Sequence, residues 1–397
     1  MLLVCLFCAN GVTAAAATMR AYSVGTNYGS GNIDTSEDAT YARAAYSDCG
    51  YSSSVNTTPT ATTLKGKYSG GSYIMSSDIL FFSGHGNYDH IGFNWKQKGG
   101  DYDTGINWEG NTTKYAGIKN RVGSTQLITF AACLTASNGD TNISNNAVEY
   151  GAETAVGWSE EVLSGSHSNW LERYHDYLVD GYSVGEAVEY ANSFTYLPGS
   201  HVKDVVIYGN EDLVINNSGR AIRSGDSELN HLSVSPLMIQ ALDEESCVAD
   251  AICTISDSNP EFSIDDYVIE THRICDGTET IDLTRKIGEY ITNSGYVIHV
   301  KDGVIQSIID NSIQLTDNQE LQITSETESV PLIDLEELAL QNAANETIAS
   351  SLKEIKDQRL YHYFDLASNT KYILVYTSYY YNGTTGVGVD LYQMEIG

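Results

Sequence analysis

Two residue types able to share one reaction, a histidine and a cysteine, each stand at the end of an apolar run. Ile79-Leu80-Phe81-Phe82-Ser83 delivers His85 between Gly84 and Gly86, and Leu127-Ile128-Thr129-Phe130-Ala131-Ala132 delivers Cys133. They are 133 − 85 = 48 residues apart, too far for a local motif but suited to two parallel strands joined by a crossover and opening at one sheet edge. A cysteine attacks a carbonyl as its thiolate, and a free thiol with a pKa of about 8.5 is only slightly ionised at neutral pH. An imidazole beside it takes the proton and later returns it to the leaving amine. The oxyanion formed in between needs donors, and the backbone N–H groups of Gly86 and Cys133 suit the part; one such donor is worth ~2.7–4 kcal/mol. Glycine on each side of His85 lets the backbone turn and pass close to its neighbours.

The elements that must hold this pair follow from the hydrophobic pattern. From about Met19 to Asn216, short apolar runs alternate with amphipathic ones, the pattern of an α/β fold with a mostly parallel sheet between helices. Strands are expected at Met19–Val24, Tyr73–Phe82, Gln126–Ala132, Glu153–Trp158 and Val205–Tyr208, and helices at Ser36–Asp48, Asn142–Tyr150, Ser168–Val179 and Val184–Phe194. The Gly-rich stretch from Asn87 to Ser124, with Trp95, Lys96, Lys98 and Trp108, has no clear period and is expected to cover the rim. After about Arg220 the pattern becomes α+β. A short helix is expected at Leu237–Leu242, strand-like runs at Tyr267–Arg273, Ile287–Ile291, Tyr296–Val300 and Val304–Ile309, and a hairpin turn at Asp302-Gly303. A polar linker around Ser325–Ser329, an amphipathic Leu335–Asn345 and a last hairpin through Asn382-Gly383 complete it. Three segments result: 1–17, an acidic-poor leader; 18–220, the sheet domain carrying His85 and Cys133; and 221–397, an acidic α+β accessory or prodomain-like region that packs on the first.

Composition limits the partners. The 397 residues carry 52 acidic against 21 basic side chains, a net charge of −31, which repels phosphate backbones and anionic lipid, so neither nucleic acid nor a membrane anchor is expected. Calcium would be tolerated or favoured by the same surplus, and no cofactor is otherwise called for. Met1–Ala17 reads as an apolar core followed by small residues, a secretory signal, which makes the chain a secreted, extracellular one. With Cys5 and Cys8 removed, five cysteines remain, an odd number that leaves a free thiol at Cys133 and at most one disulfide among Cys247, Cys253 and Cys275.

An apolar strand ending in Ser83-Gly84-His85-Gly86, a second ending in Ala131-Ala132-Cys133 and a third reading Ala155-Val156-Gly157-Trp158 together resemble the caspase-like (clan CD) cysteine peptidases, in particular the gingipain, clostripain and CHAT groups. Gly181–Asn192 and Val205–Asn210 resemble the helix and closing strand that follow in those groups. The resemblance covers about residues 19–216. It implies a caspase-like fold and a cysteine endopeptidase acting on protein or peptide substrates, with His85 as general base and Cys133 as nucleophile. It departs in having Ala132 before the cysteine and Gly209-Asn210-Glu211 where many relatives have Gly-Asp-Pro. It also implies a specificity pocket along Thr154–Trp158 and the turn after it, with Trp158, Ser159 and Glu160 as substrate-binding residues. Trp158 or Trp170 would wall the pocket, and Glu160, Glu161 or Asp140 would receive a basic side chain. The competing reading is a secreted binding or surface protein that keeps the fold without activity. A metal site at His85, Asp89 and His90 is disfavoured, since histidines five apart do not share a helix face.

Overall fold

In the computed structural model the described residues are 18–29, 33–95, 102–110, 114–215, 231–232, 244–315, 332–349, 353–381 and 386–396. The leader, the expected Leu237–Leu242 helix, the Ser325–Ser329 linker, the Asn382-Gly383 turn, Lys96, Lys98 and the boundary near residue 220 lie outside them.

The first half forms β1 (Arg20–Val24), α1 (Ser36–Asp48), β2 (Ser52–Asn56), α2 (Ala61–Leu64), β3 (Ile79–Ser83), β4 (His85–Asn87), β5 (His90–Trp95), β6 (Tyr102–Asn107), β7 (Tyr115–Gly117), β8 (Leu127–Ala131), α3 (Ile143–Glu149), β9 (Thr154–Trp158), α4 (Ser164–Val179), α5 (Val184–Asn192) and β10 (Val205–Gly209). Six of the strands make one sheet in the order β10-β9-β8-β3-β1-β2, parallel throughout except for β10. This is the expected α/β class with a mostly parallel sheet.

The sheet is covered on both faces, as parallel sheets require. Ile79, Phe81, Leu127, Val156 and Trp158 pack with Ala42 and Tyr46 of α1 and Trp170 and Leu178 of α4. Their alternating neighbours Leu80, Phe82, Ile128 and Phe130 pack with Ile143 and Ala147 of α3. Both faces of β3 and β8 are therefore hydrophobic, which explains why these strands read as unbroken apolar runs.

Helix α3 starts at the expected place, where the Asn142 side chain caps it by accepting from the backbone N–H of Asn145. The stretch after His85 is not an irregular lid. It folds into β4 to β7, with Ile91, Phe93 and Ile106 fully buried under the sheet. Polar β2 escaped notice because Ser52-Ser-Ser-Val-Asn is an edge strand with only one strand neighbour.

The second half forms β11 (His231–Leu232), α6 (Glu244–Ser258), β12 (Tyr267–Cys275), β13 (Thr278–Ile287), β14 (Tyr290–Lys301), β15 (Val304–Asp310), α7 (Leu332–Ala349), β16 (Lys353–Asp365), β17 (Thr370–Tyr381) and β18 (Val387–Ile396). The run expected at Ile287–Ile291 spans the turn between β13, which ends at Ile287, and β14, which begins at Tyr290. Asp302 and Gly303 both have positive φ, 51° and 72°, as the hairpin between β14 and β15 needs. Cys253 and Cys275 are free thiols, so neither takes part in the disulfide that the cysteine count allowed.

The two halves meet across buried charge. Lys203 Nζ lies 2.8 Å from Asp282, and the Asp204 carboxylate accepts from His272 Nδ1 at 2.6 Å and from His201 Nδ1 at 2.7 Å. These groups border a cavity of about 370 Å³. Burial pulls the His272 imidazole down, but Asp204 and Asp282 outweigh it and raise its pKa from 6.5 to about 9. A histidine raised on folding stabilises fully below its unfolded value and loses that contribution as pH rises through the folded one. Between pH 6.5 and about 9 the chain should therefore lose stability that a His272→Gln variant does not lose. Urea midpoints measured across that window test this, and parallel curves for the two proteins would refute it.

Candidate active site

The register of β3 against β8 decides where the two reactive residues fall. Ile79 pairs with Leu127 and Ser83 with Ala131, each an offset of 48, and His85 and Cys133 keep that offset beyond the strand ends. The backbone N–H of Gly84 donates to the Ala131 carbonyl at 3.3 Å and extends the alignment by one residue. His85 and Cys133 consequently border one cavity, together with Ser83, Gly84, Ala131, Ala132, Val162, Asp38 and His167.

Close approach explains the glycines. A Cβ on Gly86 would lie 2.6 Å from the Cys133 carbonyl oxygen and 2.7 Å from Ala132 Cβ, and one on Gly84 would lie 2.5 Å from the Tyr28 hydroxyl. Gly86 thus packs directly on the backbone of Cys133. The Tyr28 hydroxyl accepts from the His85 backbone N–H at 3.0 Å and donates to the Gly92 carbonyl, while its ring meets the imidazole edge-on at 4.7 Å.

The electrostatic state of the pair is neutral. Burial raises the Cys133 thiol to about 12, only partly offset by its contact with Val162, whose backbone N–H lies 3.4 Å from Sγ. Burial lowers His85 to about 3; its Nδ1 is 3.4 Å from the Val387 carbonyl oxygen. Both shifts have the same main cause, since a pocket closed off from bulk solvent disfavours thiolate and imidazolium alike. The cavity holds about 30 Å³, room for a water or two rather than a peptide.

The other expected pocket residues are placed as follows. Trp158 is fully buried, donates from Nε1 to the Val202 carbonyl at 2.8 Å and stands behind His167 instead of bordering the cavity. Trp170 is fully buried as well, its Nε1 on Asn192. Ser159 bonds the Asp204 carbonyl, and Glu160 is exposed and borders the cavity between the two halves. Asp140 is exposed on the loop before α3. Glu161 is buried and ion-paired with Lys356 of β16. Asp89 is tied to His90 at 2.6 Å, and among the described residues no group of three or more His, Cys, Asp or Glu is arranged to hold a metal.

Two cavity residues escaped the sequence reading. Asp38, in the first turn of α1, accepts from the hydroxyls of Ser83 at 2.8 Å and Ser168 at 2.7 Å. An acid in a first helical turn ordinarily reads as a partner of the helix dipole; its position just after β1, at the rim where such sheets bind ligands, was the available signal. His167, in α4, has a buried Nε2 with no hydrogen-bond partner among the described residues, and burial lowers its pKa to about 3.

No family model and no curated protein matches the chain. Among solved structures it is similar to the Arg-specific cysteine proteinase gingipain R, with a TM-score of 0.35 and 9% identity over 95% of this chain and 67% of that one. It is similar also to the complex of Porphyromonas gingivalis RgpB pro- and mature domains, with a TM-score of 0.35 and 8% identity over 96% and 69%. These are distant likenesses of fold.

Burial raises Asp38 from 3.8 to about 6. An acid raised on folding favours the folded state below its unfolded value and loses that advantage as pH rises to the folded one. The stability of the wild type relative to Asp38→Asn should thus fall by on the order of 2–3 kcal/mol between pH 4 and 6. Urea titrations of both proteins measure it, and a pH-independent difference would overturn the assignment.

Proposed function

We propose that the chain is a cysteine endopeptidase, secreted if its leader acts as the sequence suggests, in which Cys133 is the nucleophile and His85 the general base and acid. The observation that carries the reading is the matched offset of 48 residues that sets imidazole and thiol at one cavity. In the reaction His85 takes the Cys133 proton as Sγ attacks the substrate carbonyl, and the carbon–oxygen double bond opens to an oxyanion. The oxyanion collapses, the carbon–nitrogen bond breaks, and the imidazolium hands its proton to the leaving amine, leaving a thioester on Cys133. Water, deprotonated by the same imidazole, attacks the thioester; the acid departs and the thiol recovers its proton. Backbone N–H groups at Gly86 and Cys133 would serve the oxyanion in both steps.

For the residue before the scissile bond the reading is a basic one, received by Asp38. Two carboxylates border the cavity of Cys133; Asp34 is exposed and engaged by Asn27 and Ser36, whereas Asp38 is aimed by its serine partners Ser83 and Ser168. His167, with its unengaged nitrogen, would line the same pocket. The alternative, a silent binding protein, draws support from the cavity of about 30 Å³. That closure, however, comes from β18, near the other end of the chain, rather than from β3 and β8, whose register aligns the pair.

A positional-scanning peptide library tests the proposal. Cleavage after Lys or Arg is expected, with Asp38→Asn lowering kcat/KM for those peptides about 10²-fold and Cys133→Ala or His85→Ala removing detectable turnover. Indifference to the residue before the cut would remove Asp38 from the pocket. Absence of hydrolysis while Cys133 is open to small thiol reagents would refute the peptidase reading.

A further inference from the structure

The wall that closes the cavity belongs to the other end of the chain. Val387 of β18 sits opposite Gly86 of β4 in an antiparallel pair, and Gly388 and Val389 border the cavity itself. A Cβ on Gly388 would lie 2.7 Å from His85 Cε1 and 2.6 Å from the Tyr379 hydroxyl, so the strand backbone rests directly against the imidazole. An extended segment added to a strand edge is how many proteins hold a peptide, and here the chain's own segment takes that position.

A second anchor lies beside the nucleophile. Lys356 of β16 reaches across to the buried Glu161, the residue before Val162, whose N–H meets Cys133 Sγ. Burial pulls the Lys356 ammonium down, but Glu161 outweighs it and holds its pKa above the ordinary value. Lys353, paired with Asp390 at 2.7 Å, adds a positive charge on the His85 side that opposes imidazolium formation.

We propose that the C-terminal region is a built-in stopper, which keeps substrate from His85 and Cys133 by laying Val387–Val389 along β4 and clamping Lys356 onto Glu161. What it holds off rests on the peptidase reading above. Displacement of the stopper admits water, peptide and reagent together.

The rate at which iodoacetamide modifies Cys133 in the full chain measures the stopper without requiring turnover. Exposed Cys253 is the positive control, and fully buried Cys49, in the same domain as Cys133, reports unfolding. In the wild type Cys133 should react far more slowly than Cys253. Lys356→Glu sets two carboxylates against each other and should accelerate Cys133 by about tenfold or more while Cys49 stays protected. The exchange Glu161→Lys with Lys356→Glu restores the pair and should restore the slow rate. Gly388→Val, which leaves the charges alone, should open the site independently. Equal Cys133 rates in the wild type and both single variants would overturn the proposal, and so would loss of Cys49 protection in both, since the contacts would then hold up the fold rather than guard the site. Fast labelling without peptide hydrolysis would keep the stopper and sink the peptidase; wild-type hydrolysis as fast as in the variants would do the reverse.

Discussion

The pairing of β3 with β8 is the constraint on which the site depends. A side chain changes face with every residue along a strand, so a slip of one would turn Cys133 toward the opposite layer and leave His85 beside Ala132. What prevents the slip is burial on both sides. Phe81 packs on one face and Phe82, stacked on Phe130 at 6.0 Å between ring centres, on the other. Each such side chain gains roughly 1.5–3 kcal/mol from burial, and a shifted register would misplace all of them at once. The chemistry at the rim inherits its alignment from the hydrophobic core beneath it.

β18, laid over this aligned pair, keeps it out of bulk solvent, and that burial sets its reactivity. Thiol raised to about 12 and imidazole lowered to about 3 describe one fact, a site that tolerates neither charge. An ion pair between them would need water or fixed dipoles that the closed cavity does not offer. Access and activation are therefore a single variable. Whatever lets a peptide reach Cys133 also hydrates it, relaxes both shifts and brings thiolate and imidazolium within reach near neutral pH.

How much of this was legible in the sequence depended on whether local pattern or distant packing set each feature. The strands β3, β8 and β9 announced themselves as apolar runs, and α1 and α3 by their amphipathic spacing, with Asn142 capping α3, because those signals are local. The strands β5 to β7 were hidden because their glycines and scattered aromatics carry no period; Gly105 is there to clear the Tyr115 ring, a contact no local rule encodes. Asp38 was missed for a related reason. Its importance comes from Ser83 and Ser168, 45 and 130 residues away, whereas its neighbours advertise only a helix start. Trp158 shows the converse: it lies in the right strand, but its indole N–H is engaged by Val202 and its ring is sunk in the core.

His85 is where three separate parts of the chain converge, and each contact there requires the absence of a side chain. Gly84 makes room for Tyr28, Gly86 for the backbone of Cys133, and Gly388 for the imidazole itself. The first two contacts belong to the sheet domain and are backed by its continuous core. The third is held by a single residue pair from β18 to β4, by the packing of Val389 with Leu163 and by the partly exposed Lys356. Short strand edges and half-exposed ion pairs are among the weaker attachments a fold contains. A displacement of β18 by little more than the width of a water molecule would therefore expose the imidazole while leaving the β3–β8 register, and with it the geometry of the pair, intact.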